Sequence, residues 1–163
     1  MAEEATSYAT VAEADAYWQI YSTPAAWSAL DEAQKQAALN VGRQYLDAIY
    51  GLRWIGTRAT SDQIKDWPRV SAVDSDGYQL SDTTIPREVM DANIESALRH
   101  VTEPDGLLPD TADRGRVMRE RVEVGPLVED ITYAGGKVLN KTFPKVERIL
   151  SPLLSSGSRI YLG

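Results

Sequence analysis

The chain has 163 residues, no cysteine and a net charge of −7. That length suits one domain with a sizeable core, the lack of cysteine excludes disulfides and thiolate metal sites, and the negative charge disfavours general coating of nucleic acids. No apolar run approaches the roughly 18 residues of a membrane span, and residues 1–7 have no signal-peptide pattern. We therefore expect a protein that stays in the cytoplasm of the cell that makes it, with no membrane partner.

Two capping boxes define the first long helices. Thr10 with Glu13 predicts a helix that ends at residues 22–24, and Asp31 with Gln34 predicts a second helix. The second helix should end at Gly51 in the left-handed conformation that glycine favours. We expect it to be the central core helix, because its apolar side is broad. Its polar stripe should face water: Gln36, Asn40, Arg43, Asp47 and Tyr50.

Gly42 lies inside this central helix, where glycine costs roughly 1 kcal/mol relative to alanine. Another backbone that crosses closely at this point would explain it. Aromatic rings precede the helix: Tyr17, Trp18 and Trp27. They could form a base-stacking platform, but their helical spacing beside large apolar neighbours favours core packing.

Arginines follow the central helix: Arg53, Arg58 and Arg69. Beside tryptophans they could bind nucleic acid, but the neighbouring acids favour an internal salt-bridged cluster: Asp62, Asp66, Asp74, Asp76 and Asp82. The sequence further predicts a brief helix over residues 61–66, a turn at 74–77 and a short strand over 78–80. Pro86 should open a third helix that reaches Val101.

The predicted fold class is mainly α: a helical bundle with a β-hairpin arm and a flexible C-terminal tail. One domain, residues 1–163, would comprise a helical core (1–102), a linker (103–115), the arm (116–134), a helix (142–154) and the tail (155–163). Thr142 should cap the last helix, and Pro152 should end or kink it. The single histidine, His100, is expected to be structural.

Charge is unevenly distributed along the chain. Residues 1–110 carry 18 acids and 8 bases, a net −10, whereas residues 111–163 carry 6 acids and 9 bases, a net +3. This asymmetry suits two ends that meet different partners, although it also arises by accident on solvated surfaces. No nucleophile motif, metal-ligand spacing or phosphate-binding glycine loop occurs, so we expect neither an enzyme nor a cofactor.

Several stretches, in this order, resemble tailed-phage head-tail connector or adaptor proteins of the virion neck: "SYATVAEADAYW", "YLDAIYGLRWIGTR", "WPR" followed by "DGYQL", "IPREVMDANIESAL", "VEVGPLVEDITY" and "FPKVERILSPLL". The resemblance implies a ring of about twelve copies under the portal protein, which extends the DNA channel and joins the head to the tail. It also implies contact with the next neck or tail-completion protein, and passage of genomic double-stranded DNA without sequence-specific binding. It implies no catalytic residues.

The arm has more apolar surface than a solvated hairpin should expose, so we expect it at the subunit interface. The predicted interface residues are Val122, Val124, Leu127, Val128, Ile131 and Tyr133. The predicted portal contacts are Arg159, Ile160, Tyr161 and Leu162. Sequences of this kind are also labelled DnaT-like single-stranded-DNA-binding proteins, and that alternative function requires a basic face with exposed aromatic rings.

Overall fold

The computed structural model describes residues 6–103, 107 and 142–155, and the backbone of 117–123 and 128–133. It confirms the predicted fold class, mainly α with a β-hairpin. Two compact units are present. The first comprises Met1–Leu107 and Thr142–Gly163, and the second comprises Leu108–Lys141.

The first unit contains five helices among its described residues: α1 Val11–Tyr21, α2 Ala25–Ser28, α3 Glu32–Tyr50, α4 Arg87–Thr102 and α5 Pro144–Leu150. A short 3-10 helix, Ser151–Leu153, continues α5. Two short strands, β1 Thr57–Arg58 and β2 Arg69–Val70, pair antiparallel. In the second unit, β3 Val117–Glu123 and β4 Val128–Tyr133 form an antiparallel hairpin with a register shift between Val117 and Arg119.

Helix α3 packs most extensively on α4, and Gly42 lies at their crossing. A Cβ atom added at Gly42 would lie 2.8 Å from the Asn93 carbonyl oxygen and 2.9 Å from the Ala97 nitrogen. Real Cβ atoms do not approach backbone that closely. The prediction of a close backbone crossing at Gly42 is therefore confirmed, as is the central position of α3.

Residues 6–9, here called the N-terminal segment, lie across the polar stripe of α3. Gln36 donates to the Ser7 hydroxyl at 3.0 Å, and the Tyr8 hydroxyl donates to the Asp47 carboxylate. Ser7 and Tyr8 are buried. The expectation that this stripe faces water is wrong, because a peptide segment rich in hydrogen-bonding groups can cover a polar stripe as well as water does.

Asn93 of α4 joins three parts of the first unit. Its side-chain oxygen accepts hydrogen bonds from the backbone nitrogens of Tyr8 and Ala9, both at 3.1 Å. Its side-chain nitrogen donates to the Leu39 carbonyl of α3 at 2.8 Å. Asn93 is fully buried, so these bonds satisfy backbone groups that water cannot reach.

Apolar side chains form two clusters. One surrounds Trp54 and Trp67, whose rings meet edge to face at 5.8 Å. The other surrounds Trp18 and Trp27 between α1, α2, α3 and α4. Both capping boxes are present as predicted, with Thr10 and Asp31 at the N-caps.

Some local predictions are wrong. Helix α3 ends before Gly51 as predicted, but the backbone of this glycine has right-handed helical angles (φ −49°, ψ −40°). The chain continues to turn in the same direction, because the Arg53 nitrogen donates to the Tyr50 carbonyl. Residues 61–66 form no helix, since the Gln63 amide instead bonds the Thr60 nitrogen and nearby carbonyls.

Two short elements also differ from the predictions. Phe143 rather than Thr142 is the N-cap of α5, and no side chain caps it. Residues 78–80 make only an isolated bridge, Val73 to Gln79, instead of a strand. The predicted effect of Pro152 is confirmed, because α5 ends at Leu150 and the chain continues as a 3-10 helix.

We predict that Gly42→Ala destabilises the protein. Alanine favours the helix by roughly 1 kcal/mol, but its Cβ would clash with the α4 backbone. Overpacking of this kind costs about 1–3 kcal/mol, so the free energy of unfolding in urea should fall.

Ala48→Gly provides the matched control, because Ala48 is an exposed residue of the same helix. Its cost of about 1 kcal/mol measures propensity alone. Equal or greater stability of Gly42→Ala would contradict a close crossing.

Candidate functional site

Helix α5 presents two positive charges on the side opposite its buried face. Val146 and Leu150 are buried, together with Phe143 just before the helix. Lys145 and Arg148 are exposed, and their spacing of three residues makes them neighbours on the helix surface. The apolar spacing thus fixes which side of α5 reaches the solvent.

Arg53 adds a third cation at the end of α5. Its guanidinium bonds Glu147 at 3.2 Å and lies 5.7 Å from the centre of the Tyr50 ring. Burial raises the pKa of Tyr50 to about 12, so its hydroxyl stays protonated at neutral pH. Lys145, Arg148 and Arg53 are together called the α5 ridge below.

A groove of about 490 Å³ lies beside the ridge, between α5 and the chain that follows α3. Its lining residues are Arg53, Glu147, Arg148, Ser151, Leu154 and Ser155. The side chains of Arg53 and Glu147 are 48% and 41% exposed. An ion pair this exposed contributes little stability, so Arg53 can exchange Glu147 for another anion at small cost.

Lys145 is fixed by a buried carboxylate. Its ammonium donates to Glu95 Oε1, and the Tyr17 hydroxyl donates to the same oxygen at 2.7 Å. The side chain of Glu95 is 2% exposed, whereas that of Lys145 is 54% exposed. Burial, followed by the hydrogen bond to Glu95, raises the pKa of Tyr17 above its ordinary value. Lys145 therefore has an anchored position and an open side.

The core interpretation of Tyr17, Trp18 and Trp27 is confirmed, because all three side chains are buried. Among the described side chains, two aromatic rings are more than half exposed, Tyr21 at 57% and Tyr78 at 71%. Sequence reasoning did not single out either of them as a surface ring.

The expected pairing of Arg53 with the neighbouring aspartates is wrong. Arg53 pairs with Glu147 of α5. Arg69 is buried and donates to the carbonyls of Ile55 and Gly56, both at 2.8 Å. A buried guanidinium that satisfies loop carbonyls holds backbone in place, so Arg69 organises this loop. Arg58 is exposed.

The sequence did contain a signal for the α5 ridge. Lys145 and Arg148 lie three residues apart, at positions of α5 that the apolar residues do not occupy. The prediction for this helix rested on its apolar residues and named neither cation. Arg53 could not be assigned, because its position beside α5 depends on the fold. The antiparallel bridge between Trp54 and Leu154 brings these distant segments together.

The predicted interface residues all belong to the second unit. Val122 belongs to β3, and Val128, Ile131 and Tyr133 belong to β4, for which the backbone is described. Val124 and Leu127 lie outside the described residues, and so do the predicted portal contacts Arg159, Ile160, Tyr161 and Leu162. The contacts predicted for these individual residues stay predictions.

A second polar cluster lies under the N-terminal segment. Asp47 accepts from Tyr8 and pairs at 2.9 Å with Arg43, one turn earlier in α3. Burial raises the pKa of Asp47 above its ordinary value, and the nearby negative charge of Asp66 raises it further. The hydrogen bonds from Tyr8 and Arg43 lower this pKa but do not cancel the increase. The cluster holds the N-terminal segment in place.

The described residues contain no group of three or more histidine, aspartate or glutamate side chains placed to hold a metal ion. Within the same residues, every helix is too short or too polar to cross a membrane.

A family model described as "Putative DnaT-like ssDNA binding protein" matches residues 1–162. No curated protein matches the chain, and no solved structure does. The match therefore covers both described units.

The family match overturns the head-tail connector interpretation and supports the alternative function that the sequence left open. The stretches that carried the resemblance explain the error. They include Tyr45, Tyr50, Trp54 and Trp67, all of them buried core residues. Core residues determine the fold, and one fold serves several functions.

The raised pKa of Asp47 predicts a pH dependence of stability. Because the folded-state pKa exceeds the unfolded value near 3.8, this carboxyl favours the folded state most below that pH. Its contribution is lost as the pH rises through the folded pKa, by about 1.4 kcal/mol for each unit of difference. In urea unfolding measured from pH 3 to pH 8, the free energy of unfolding of wild type should therefore fall relative to that of Asp47→Asn as the pH rises.

Asp15→Asn is a control of opposite sign. Burial acts to raise the pKa of Asp15, but hydrogen bonds from Lys35 and Trp27 outweigh it and hold the pKa below its ordinary value. Wild type should gain stability relative to this variant as the pH rises through the same range. The same slope for both variants would contradict the assigned environments.

Proposed function

Since the chain belongs to the family of DnaT-like single-stranded-DNA-binding proteins, we propose that it binds single-stranded DNA and that the α5 ridge contacts the phosphates. The observation that carries this proposal is the family match over residues 1–162. The geometry of Lys145, Arg148 and Arg53 supports it, because a line of exposed cations suits a phosphate backbone.

The chemistry of the ridge favours exchangeable anion contacts. Arg148 has no ion-pair partner within the described part of the chain, so its guanidinium is free to meet a phosphate. Arg53 has the exposed Glu147 as its partner, and a phosphate can replace that carboxylate. Lys145 stays anchored on Glu95 while its open side faces solvent.

The remaining charge of the molecule limits the strength of binding. The net charge of −7 repels a polyanion, so attraction is confined to the ridge and to the basic C-terminal third. We expect a dissociation constant on the order of 10⁻⁵ M for an unstructured oligonucleotide at physiological salt, as for contacts made mostly to phosphates. Binding should tighten as salt falls.

Fluorescence anisotropy with labelled oligothymidine across 20–200 mM salt, a range of about one decade, tests this function. Each phosphate contact on a single strand contributes about 0.7 to the slope of log K against log salt. Arg148→Ala should therefore weaken binding and reduce the magnitude of the slope by about 0.7.

Arg87→Ala is the matched control, because Arg87 is an exposed arginine at the start of α4 that pairs with Asp91 at 3.6 Å. It changes the net charge by the same amount without touching the ridge, so its slope should stay close to that of wild type. Absence of binding by wild type at the lowest salt would overturn the function. Equal losses in both variants would show that the ridge is not the contact surface.

A further inference from the structure

When a protein contacts only the phosphates of a nucleic-acid strand, the bases make no contact with it. Proteins that bind single strands commonly stack the bases on exposed aromatic rings. The tryptophans cannot serve, because all four are buried. Tyr21 and Tyr78 are the rings among the described side chains with enough exposed surface. The charged side chains near Tyr21 differ from those near Tyr78.

Tyr21 ends α1 and is linked to Lys145 of the α5 ridge through the side chains of Tyr17 and Glu95. Its ring centre lies 4.7 Å from that of Tyr17, and the Tyr17 hydroxyl bonds the same Glu95 oxygen that holds Lys145. One exposed ring and one exposed ammonium are thus connected through two side chains. Ile20, 70% exposed, extends the apolar surface next to the ring.

Tyr78 lies on an acidic turn instead. The Asp74 carboxylate accepts from the backbone nitrogens of Asp76 and Tyr78 at 3.0 and 2.8 Å. Asp76 is itself exposed, and Asp82 follows shortly after. A phosphate next to this ring would meet carboxylates, which disfavours DNA.

We propose that Tyr21 stacks a base of the single strand whose phosphates contact the α5 ridge. This inference rests on the proposed function and assigns the base-stacking residue of the same site. Contact with Tyr17 holds the Tyr21 ring on one side, so its free surface is presented with little loss of rotamer freedom. Lys145, which shares Glu95 with Tyr17, supplies an exposed lysine side chain for a phosphate of the same strand.

The test compares Tyr21→Ala, Tyr21→Phe and Tyr78→Ala by anisotropy with oligothymidine. Tyr21→Ala should weaken binding roughly 5- to 100-fold, the range found for loss of one stacked base. Tyr21→Phe keeps the ring and should bind like wild type, and Tyr78→Ala should also bind like wild type. Thermal unfolding of each variant verifies that it is folded.

Two further readouts separate stacking from a structural effect. The salt slope of Tyr21→Ala should equal that of wild type, because stacking releases no counterion, unlike the slope of Arg148→Ala. On an oligonucleotide of abasic sites, Tyr21→Ala and wild type should bind equally, because no base is present to stack.

The outcomes distinguish this inference from the proposed function. If wild type binds oligothymidine and Tyr21→Ala loses no more than Tyr78→Ala, the stacking role is overturned while the function stands. A loss that persists on the abasic strand also overturns it. If wild type binds no oligothymidine at low salt, the proposed function itself fails.

Discussion

The side chain of Asn93 is the contact on which the first unit depends. It is buried on α4, donates to the α3 backbone and accepts two backbone hydrogen bonds from the N-terminal segment. Such bonds form only where α3 and α4 approach closely, and Gly42 is the residue that permits that approach. An amide is suited to this position, because it donates and accepts without carrying a charge into the core.

Much of the fold could be predicted from local patterns. The capping boxes gave the starts of α1 and α3, the broad apolar arc gave the central helix, and Gly42 gave the crossing. The errors have two physical causes: partners distant in sequence, and local side-chain hydrogen bonds that compete with helix formation. The stripe containing Asp47 was assigned to water because nothing nearby showed that Tyr8 would cover it. Residues 61–66 satisfy their polar groups through side chains such as Gln63 rather than through a helix.

The candidate site was less predictable than the fold. The exposed cations of α5 follow from its apolar spacing, yet Arg53 and Tyr21 join them only through tertiary contacts. Overall charge was also a poor guide to the proposed function, because it averages an acidic first part of the chain with a basic C-terminal third. A ridge of three cations is small beside a net charge of −7, but phosphate contacts are short-ranged and depend on the local arrangement.

The position of the N-terminal segment has a consequence for the order of folding. The hydrogen bonds from Tyr8 and Ala9 to Asn93 span 85 and 84 positions of the chain. The bond between Asn93 and Leu39 spans 54 positions. Closing the longer loops is entropically more costly, and the Asn93 amide is in place only after α3 and α4 have packed. We therefore expect the segment to dock last, onto a finished helix pair. By the same reasoning we expect it to detach first, so that the amide hydrogens of Tyr8 and Ala9 exchange with solvent through local opening rather than global unfolding.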